Sequence, residues 1–158
     1  MLTNNTTRFL DQKKIAYYIH DLGTTEKVAA MEVSRKLQEP AHKIFKTILL
    51  SSKKGKPIAV LVPANQKVDE KKVAAFLGRK KVFPMRQDEA EAASGMQAGG
   101  ISPLGLWNKS FLILADESIN SADTVIISAG IRGWQIEMNP NDLLNLCNAK
   151  THPISKEL

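Results

Sequence analysis

Lys46 is the side chain whose place in the sequence most clearly suggests chemistry. It lies in the segment KIFKTILLSS (43–52), whose composition is typical of a β-strand. Alternation along a strand places Ile44, Lys46, Ile48 and Leu50 on one face. An ammonium group in an aliphatic row is costly to desolvate. The pattern therefore predicts either a functional lysine in a pocket or an edge-strand lysine that extends to solvent.

The second feature is the glycine-rich segment GGISPLG (99–105). Three glycines would let a ligand approach backbone N–H groups closely, and Pro103 would stiffen the loop. A structural turn would explain the same glycines. The segment therefore predicts either a backbone binding loop or a turn.

The common catalytic and metal-binding patterns are missing from the sequence. It contains neither a Walker loop nor a G-x-S-x-G motif, and its three histidines, His20, His42 and His152, lack metal-ligand spacing. A single cysteine, Cys147, excludes an internal disulfide and a thiolate zinc cluster. Its place beside Leu143 and Leu144 predicts a buried structural thiol rather than a nucleophile. We expect no metal and no cofactor.

His20 is followed directly by Asp21, which could orient its imidazole. An ordinary surface histidine would give the same pattern. Both interpretations stay open.

Length and composition predict one compact domain over residues 1–158. The chain is 43% hydrophobic and 24% charged, which excludes collagenous, low-complexity and disordered classes. The N-terminal segment has no apolar run of signal-peptide length, and no run is long enough to span a bilayer. A cytoplasmic protein without a membrane partner is expected.

The net charge of +6 is concentrated in the middle of the chain. Residues 41–90 contain 12 Lys or Arg against 4 Asp or Glu, whereas residues 101–158 contain 4 against 6. This basic block contains Lys53, Lys54 and Lys56, then Lys71 and Lys72, then Arg79, Lys80 and Lys81. It predicts either a phosphate-rich partner such as nucleic acid or a solvated lysine surface.

Turn and capping signals divide the chain into alternating helices and strands. Helices are predicted over 6–15, opened by Thr6 or Thr7, from Thr24 or Thr25 to Leu37, over 68–78 capped by Asp69, over 87–94, and from Pro140 after an Asn139 cap. Strands are predicted over 17–22, 43–52, 57–64, 81–83, 111–116, 124–130 and 134–138, with a hairpin turn at Gly55. The order predicts an α/β fold, a single domain with a mixed, largely antiparallel curved sheet flanked by helices, rather than a Rossmann domain.

Three motifs in this order resemble the YbaK/EbsC family of aminoacyl-tRNA deacylases, which is related to the editing domain of bacterial prolyl-tRNA synthetases. They are IFKTI (44–48), GGISPLG (99–105) and SAGIRG (128–133), and the resemblance covers about residues 9–148. Lys46 matches the family's signature lysine. The resemblance implies hydrolysis of misacylated tRNA, with the tRNA acceptor end as partner, and an association with prolyl-tRNA synthetase as a further possibility.

The resemblance also assigns roles to individual residues. Lys46 would anchor the phosphate or ribose of the tRNA 3′ end, and the backbone amides of Gly99, Gly100 and Ile101 would hold the ester carbonyl. The substrate-binding positions that it implies are Thr47, Ser102, Pro103, Ser128, Ala29 and Gln135. At Ala29 and Gln135 the YbaK branch has a phenylalanine and an aspartate, and at Ala129 it has a glycine.

The YbaK branch resembles hydrolases for cysteine attached to proline tRNA, in which the substrate thiol attacks its own ester. That route would explain the missing protein nucleophile. The departures at Ala29 and Gln135 leave two alternatives open: a deacylase for another small amino acid such as alanine or serine, and a non-catalytic module that binds tRNA or a synthetase.

Overall fold

The computed structural model describes residues 3–158. Within this range it contains five α-helices: α1 (Asn5–Gln12), α2 (Ala30–Leu37), α3 (Glu70–Leu77), α4 (Gln87–Ser94) and α5 (Pro140–Cys147). The first six strands are β1 (Tyr17–Asp21), β2 (Phe45–Ser51), β3 (Ile58–Pro63), β4 (Gln66–Val68), β5 (Phe83–Pro84) and β6 (Leu112–Asp116). The last four are β7 (Val125–Ser128), β8 (Trp134–Met138), β9 (Lys150–His152) and β10 (Ser155–Glu157).

The strands form a five-stranded sheet with order β5-β2-β3-β6-β9, a three-stranded sheet β1-β8-β7 and a small β10-β4 pair. Five strand pairings are antiparallel, and the β3–β6 and β6–β9 pairings are parallel. The predicted α/β class with mixed, largely antiparallel pairing is therefore confirmed. The strands are divided among three sheets rather than joined in one.

The hydrophobic core lies on both faces of the five-stranded sheet. Phe45, Leu49 and Leu61 pack into one cluster, while Leu50 and Val60 pack into a second cluster on the other face. Every residue of the central strand β3 is buried. Burial on both faces explains why this strand reads as a continuous apolar run rather than an alternating one.

Several local predictions are confirmed at the residue level. Asp69 caps α3 by accepting a hydrogen bond from the Lys72 backbone N–H, and Gly78 ends the helix in the left-handed conformation. Helix α4 spans 87–94 as predicted. Asn139 caps α5, and β2 and β3 form the predicted antiparallel hairpin.

Two helix starts differ from the prediction. Asn4, rather than Thr6 or Thr7, caps α1, and its carboxamide also donates a hydrogen bond to the Ala129 backbone oxygen at 3.0 Å. Helix α2 begins at Ala30 instead of Thr24 or Thr25. The preceding residues are held against the turn between β7 and β8, because the Leu22 backbone N–H donates to the Gly133 oxygen at 2.8 Å.

Candidate active site

The candidate site lies along an open edge of strand β2. On this edge an isolated parallel bridge joins Ile44 to Ile126, and β5 pairs with β2 only from Leu50 onward. The Met85 backbone N–H also donates to the Leu49 oxygen at 3.0 Å. Between these attachments, Thr47 has no strand partner on this edge among residues 3–158. The edge forms one wall of a cavity of about 540 Å³, a volume typical of a small-molecule site.

The other walls come from segments that are distant in sequence. The residues before and within α2 form one side, the glycine-rich loop forms another, and β7 and β8 close the far side. Polar side chains facing the cavity are Lys27, Lys46, Thr47, Gln87, Ser128 and Gln135. Of the predicted site residues, the structure brings together Ala29, Lys46, Thr47, Gly99, Ile101, Ser128 and Gln135 in the cavity lining.

Lys46 is half-buried in this lining, on the second residue of β2. Its Nζ donates a hydrogen bond to the Ala64 backbone oxygen at 3.3 Å. Burial lowers the pKa of Lys46 below its ordinary value, because desolvation disfavours the charged form. The described residues offer this ammonium no carboxylate within ion-pair distance. It is therefore suited to bind an incoming anion or hydroxyl oxygen.

The glycine-rich loop is held by close backbone packing. A Cβ on Gly100 would lie 2.9 Å from the Arg132 backbone nitrogen, so only glycine fits without a shift. Gly99 has a φ of +85°, and a Cβ there would lie 2.6 Å from Cγ of Lys27. Both glycines are thus required by conformation or by close approach.

The amides of this loop are not equivalent. The Gly100 N–H donates to the Gln97 oxygen at 2.8 Å, so it is already engaged in a turn. The N–H groups of Gly99 and Ile101 make no hydrogen bond to any described backbone or side-chain acceptor. Gly100 lies outside the cavity lining, whereas Gly99 and Ile101 belong to it.

Ser102 and Pro103, which the resemblance assigned to substrate binding, are buried residues of the loop and lie outside the cavity lining. Ser102 is fully buried, and its hydroxyl accepts a hydrogen bond from the Leu104 backbone N–H at 3.3 Å. Pro103 is the first residue of a 3₁₀ turn spanning Pro103–Gly105. In the structure these two residues determine the conformation of the loop and do not face the cavity.

Three other residues that were predicted to bind substrate line the cavity in different ways. The Ser128 hydroxyl accepts a hydrogen bond from the Gly130 backbone N–H at 3.3 Å. Ala29 is exposed at the start of α2, where its methyl group leaves space in the cavity wall. Gln135 is only 6% exposed and presents a neutral amide.

No Asp, Glu, His or Cys side chain lines the cavity within the described range 3–158. Those residues also contain no group of three or more metal-ligating side chains of these types. The cavity lining therefore offers hydrogen-bond donors and the ammonium groups of Lys27 and Lys46, but no general base of the usual kind.

A partly buried ionic cluster around Glu137 of β8 has no counterpart among the sequence predictions. Glu137 accepts hydrogen bonds from His20 at 2.8 Å and from Thr124 at 2.5 Å, and it pairs with Lys43 at 2.8 Å. Burial acts to raise the pKa of Glu137, but the hydrogen bonds from Lys43, Thr124 and His20 outweigh it and lower the pKa to about 2. His20 thus contacts Glu137 rather than being oriented by Asp21.

Cys147 is buried in the main core cluster, which confirms the prediction of a structural thiol. Burial raises the pKa of this thiol to about 12. A thiol of this kind is almost wholly protonated at neutral pH and is a poor nucleophile.

The lysines of the basic block are exposed: Lys53, Lys54, Lys56, Lys71, Lys72, Lys80 and Lys81. Arg79 is partly buried instead, and its guanidinium donates hydrogen bonds to the Ser52 hydroxyl and the Lys56 backbone oxygen, each at 2.8 Å. Arg79 therefore closes the β2–β3 hairpin, and the lysines provide the positive surface.

Among residues 3–158, none of the helices has both the length and the apolar character needed to cross a membrane.

The fold is shared with solved structures over almost the whole chain. The structure matches the crystal structure of a candidate trans-editing enzyme for prolyl-tRNA synthetase with a TM-score of 0.82, over 99% of both chains at 19% identity. It also matches the crystal structure of hypothetical protein APE2540 with a TM-score of 0.89, over 97% of this chain and 100% of that one at 18% identity.

The sequence comparisons identify the family. The profile of the aminoacyl-tRNA editing domain matches residues 24–146, and the chain belongs to this family. It is 34% identical over 147 residues to EbsC of Enterococcus faecalis, a candidate Cys-tRNA(Pro)/Cys-tRNA(Cys) deacylase, covering 92% of this chain and 89% of that protein. The family resemblance and the aminoacyl-tRNA deacylase class that it implies are confirmed.

A segment of a much longer enzyme is also similar. The proline–tRNA ligase of Limosilactobacillus fermentum is 26% identical over 142 residues, which cover 84% of this chain and 24% of the ligase. The chain thus spans about a quarter of that ligase.

Proposed function

We propose that this protein acts in trans to hydrolyse misacylated tRNA, with cysteine attached to proline tRNA as its preferred substrate. The similarity to EbsC supports this substrate, and the similarity to a segment of proline–tRNA ligases supports an association with prolyl-tRNA synthetase. The observation that carries the mechanism is the cavity lining, in which the described residues place no Asp, Glu, His or Cys side chain.

Binding would divide between the two sides of the cavity. The Lys46 ammonium would anchor the phosphate or ribose at the tRNA 3′ end. The free N–H groups of Gly99 and Ile101 would donate hydrogen bonds to the ester carbonyl oxygen and stabilise the negative charge that develops there. Gly100 would support this arrangement through close packing on Arg132, because its own N–H is engaged.

Thr47 and Ser128 would complete the polar contacts. By the alternation of an antiparallel ladder, the backbone N–H and C=O of Thr47 point to the same open edge as the Leu49 oxygen. Ser128 offers a hydroxyl at the opposite wall, where Gln135 adds a buried amide. These groups can bind polar atoms of the aminoacyl moiety without reacting with it.

The reaction would use the substrate's own thiol. The cysteine sulfur attacks the ester carbonyl carbon, a carbon–sulfur bond forms, and the carbon–oxygen bond to the ribose breaks. The thiol proton ends on the departing ribose oxygen, so the products are uncharged tRNA and a cyclic thioester of cysteine, which water then opens to free cysteine. Holding the thiol near the carbonyl makes the step intramolecular, which lowers its barrier by several kcal/mol.

Hydrolysis of alanine or serine esters is the second candidate. It is favoured by Gln135, which places a neutral buried amide where the YbaK branch has an aspartate, and by the small Ala29 side chain in the cavity wall. In that case a water molecule would be the nucleophile, held between the loop amides and the terminal ribose.

The test is a panel of proline tRNAs charged with cysteine, serine, alanine or proline, assayed under single-turnover conditions. We expect cysteine-charged tRNA to be cleared far faster than serine-charged tRNA, because a thiol ionises near pH 8.5 and is the better nucleophile. Alkylation of the substrate thiol should block release, and a cyclic thioester should be trapped as the first product.

Equal rates on cysteine and serine substrates, with free amino acid appearing directly, would contradict the thiol route and support the water route. Tight tRNA binding with no deacylation of any substrate would instead identify a non-catalytic binding module.

A further inference from the structure

A second, smaller cleft adjoins the candidate active site and shares Lys46 with it. Its volume is about 290 Å³, and its lining is formed by Lys46, Ile48, Lys67, Val68, Glu70 and Lys156. Three of these six residues are lysines and one is acidic. Lys46 therefore stands between two spaces, one mainly apolar and one rich in positive charge.

Lys67 and Lys156 face each other across a strand pair. Lys67 lies in β4 and Lys156 in β10, and the two are register partners in this antiparallel ladder. Like charges directly opposite each other destabilise a strand pair. Both lysines are exposed, and within residues 3–158 neither has a carboxylate within ion-pair distance. This arrangement has a cost that a bound anion would offset.

We propose that this cleft binds the phosphodiester that joins the last two nucleotides of the tRNA acceptor end, through Lys67 and Lys156. The inference rests on the proposed function, which puts the terminal adenosine and its ester in the larger cavity. The first phosphate on the strand that leaves that cavity past Lys46 is the one on the 5′ oxygen of the terminal adenosine, which links it to the preceding nucleotide. The small cleft on the other side of Lys46 is the place where the lysines meet that phosphate.

The charge balance of the cleft favours an anionic ligand. Glu70 offsets part of the positive charge, and the three lysines leave an excess of positive charge over it. Lysine binds phosphate as a flexible point charge and needs no fixed fork geometry. A phosphodiester carries one negative charge and has two free oxygens, which suits a pair of opposed ammonium groups.

The test is a chemical double-mutant cycle on binding of uncharged proline tRNA to the full protein. One tRNA carries the natural phosphodiester between its last two nucleotides, and the other carries a neutral methylphosphonate at that position. The proteins compared are the parent and a Lys67→Gln/Lys156→Gln variant. The matched control, Lys53→Gln/Lys54→Gln, removes the same charge at the exposed tip of the β2–β3 hairpin.

We expect the methylphosphonate to weaken binding to the parent by about 5-fold or more, since one charged contact is lost. The Lys67→Gln/Lys156→Gln variant should bind the natural tRNA more weakly than the parent does and lose most of the difference between the two tRNAs, because Lys46 is then the one lysine of the described cleft lining that remains near this phosphate. For the Lys53→Gln/Lys54→Gln control, the ratio of the dissociation constants for the two tRNAs should equal that of the parent, even if both tRNAs bind more weakly. The cleft variant should also be at least as stable to heat as the parent, because the like-charge opposition is removed.

A cleft variant that is as sensitive to the methylphosphonate as the parent would overturn the inference. The inference would also be overturned if the parent protein did not bind tRNA, or if it bound the natural and the methylphosphonate tRNA with equal affinity. The proposed function fails separately: if the binding cycle behaves as expected but the parent deacylates no charged tRNA, the cleft assignment stands and the deacylase mechanism does not.

Discussion

Arg132 donates a hydrogen bond from Nε to the Ala98 backbone oxygen at 2.7 Å. This bond joins the turn between β7 and β8 to the glycine-rich loop, two motifs that are 34 positions apart in the chain. The same turn packs its backbone against Gly100. The position of the free Gly99 and Ile101 amides in the cavity therefore depends on the 128–133 turn.

Gly100→Ala should displace the loop and lower deacylation. The added Cβ would lie 2.9 Å from the Arg132 nitrogen and 3.0 Å from the Ile131 carbonyl carbon, and backbone atoms cannot move away as a side chain does. We expect unfolding free energy to fall by about 1–3 kcal/mol. We expect deacylation to fall by at least about 10-fold, as in the loss of an oxyanion donor. Urea denaturation and single-turnover kinetics measure the two effects.

Gly105→Ala is the matched control in the same loop. There a Cβ would meet the end of the Met96 side chain at 3.0 Å, and this flexible side chain can move. Gly105→Ala should therefore keep most of the activity. Equal activity of the two variants would argue against the loop amides as the carbonyl-binding groups.

Lys46→Met should remove most of the deacylation without unfolding the protein. Loss of a charged contact to the tRNA 3′ end should lower kcat/KM by about 10- to 100-fold. Stability should be unchanged or higher at neutral pH. Burial lowers the pKa of Lys46 in the folded state, so the charged form is less favourable there than in the unfolded chain, and this penalty opposes folding at every pH below the lowered pKa.

Thermal unfolding of Lys46→Met, measured beside its kinetics, separates a binding role from a structural one. A folded Lys46→Met variant with near-normal turnover would remove Lys46 from the mechanism.

Glu137→Gln should destabilise the fold near pH 7, because it leaves Lys43 without its carboxylate partner at 2.8 Å. The pKa of Glu137 is about 2 in the folded state against an ordinary 4.5. The contribution of the ionised Glu137 carboxylate to folding stability is therefore fully present above about pH 4.5 and is lost as the pH falls toward 2. We expect the variant to be about 1–3 kcal/mol less stable at pH 7.

The difference between parent and Glu137→Gln should shrink as the pH falls below 4.5, and urea denaturation at pH 7 and pH 3 measures it. A stability difference that does not change with pH would show that packing, rather than the charge on Glu137, is responsible.

Cys147→Ser should leave the rate of deacylation and its pH dependence unchanged. Cys147 is buried, its pKa is raised to about 12, and it does not line the cavity. Any effect of thiol-modifying reagents on the reaction should then come from the substrate thiol alone. A Cys147→Ser variant that loses activity while keeping its thermal stability would place the protein thiol in the reaction.

Binding of tRNA should weaken as salt rises, because lysine–phosphate contacts release counterions. Neutralising a contacting pair such as Lys71 and Lys72, or Lys80 and Lys81, should flatten the slope of log K against log salt, while pairs outside the interface should leave it unchanged. Fluorescence anisotropy at several salt concentrations measures the slope. An affinity that changes neither with salt concentration nor on neutralising any of the lysine pairs would indicate a different kind of partner.

The local elements could be predicted because their signals lie within a few residues. Helix α3 follows from the Asp69 cap, its apolar residues and the Gly78 end, and the β2–β3 hairpin follows from two apolar runs around Gly55. The family could also be identified, because the three motifs have a specific order and residue content. Lys46 could be singled out on equally local grounds, since a charge in an aliphatic row is visible within a single strand.

The tertiary structure decided what depends on distant residues. Helix α2 begins at Ala30, and the segment before it is joined to Gly133, more than 100 positions away, by the backbone hydrogen bond from Leu22. The cluster around Glu137 joins residues 117 positions apart. The parallel β3–β6–β9 pairing also has no local signal.

The cavity itself is a product of these distant contacts. The sequence by itself determined the two main candidates for the site: Lys46 and the glycine-rich loop. Only the folded chain decided that the amides of Gly99 and Ile101 are free while that of Gly100 is bonded, and that Ser102 and Pro103 are the buried part of the loop. Hydrogen-bond partners and burial depend on which segments pack against each other in the folded chain. Strand periodicity and turn composition do not specify that packing.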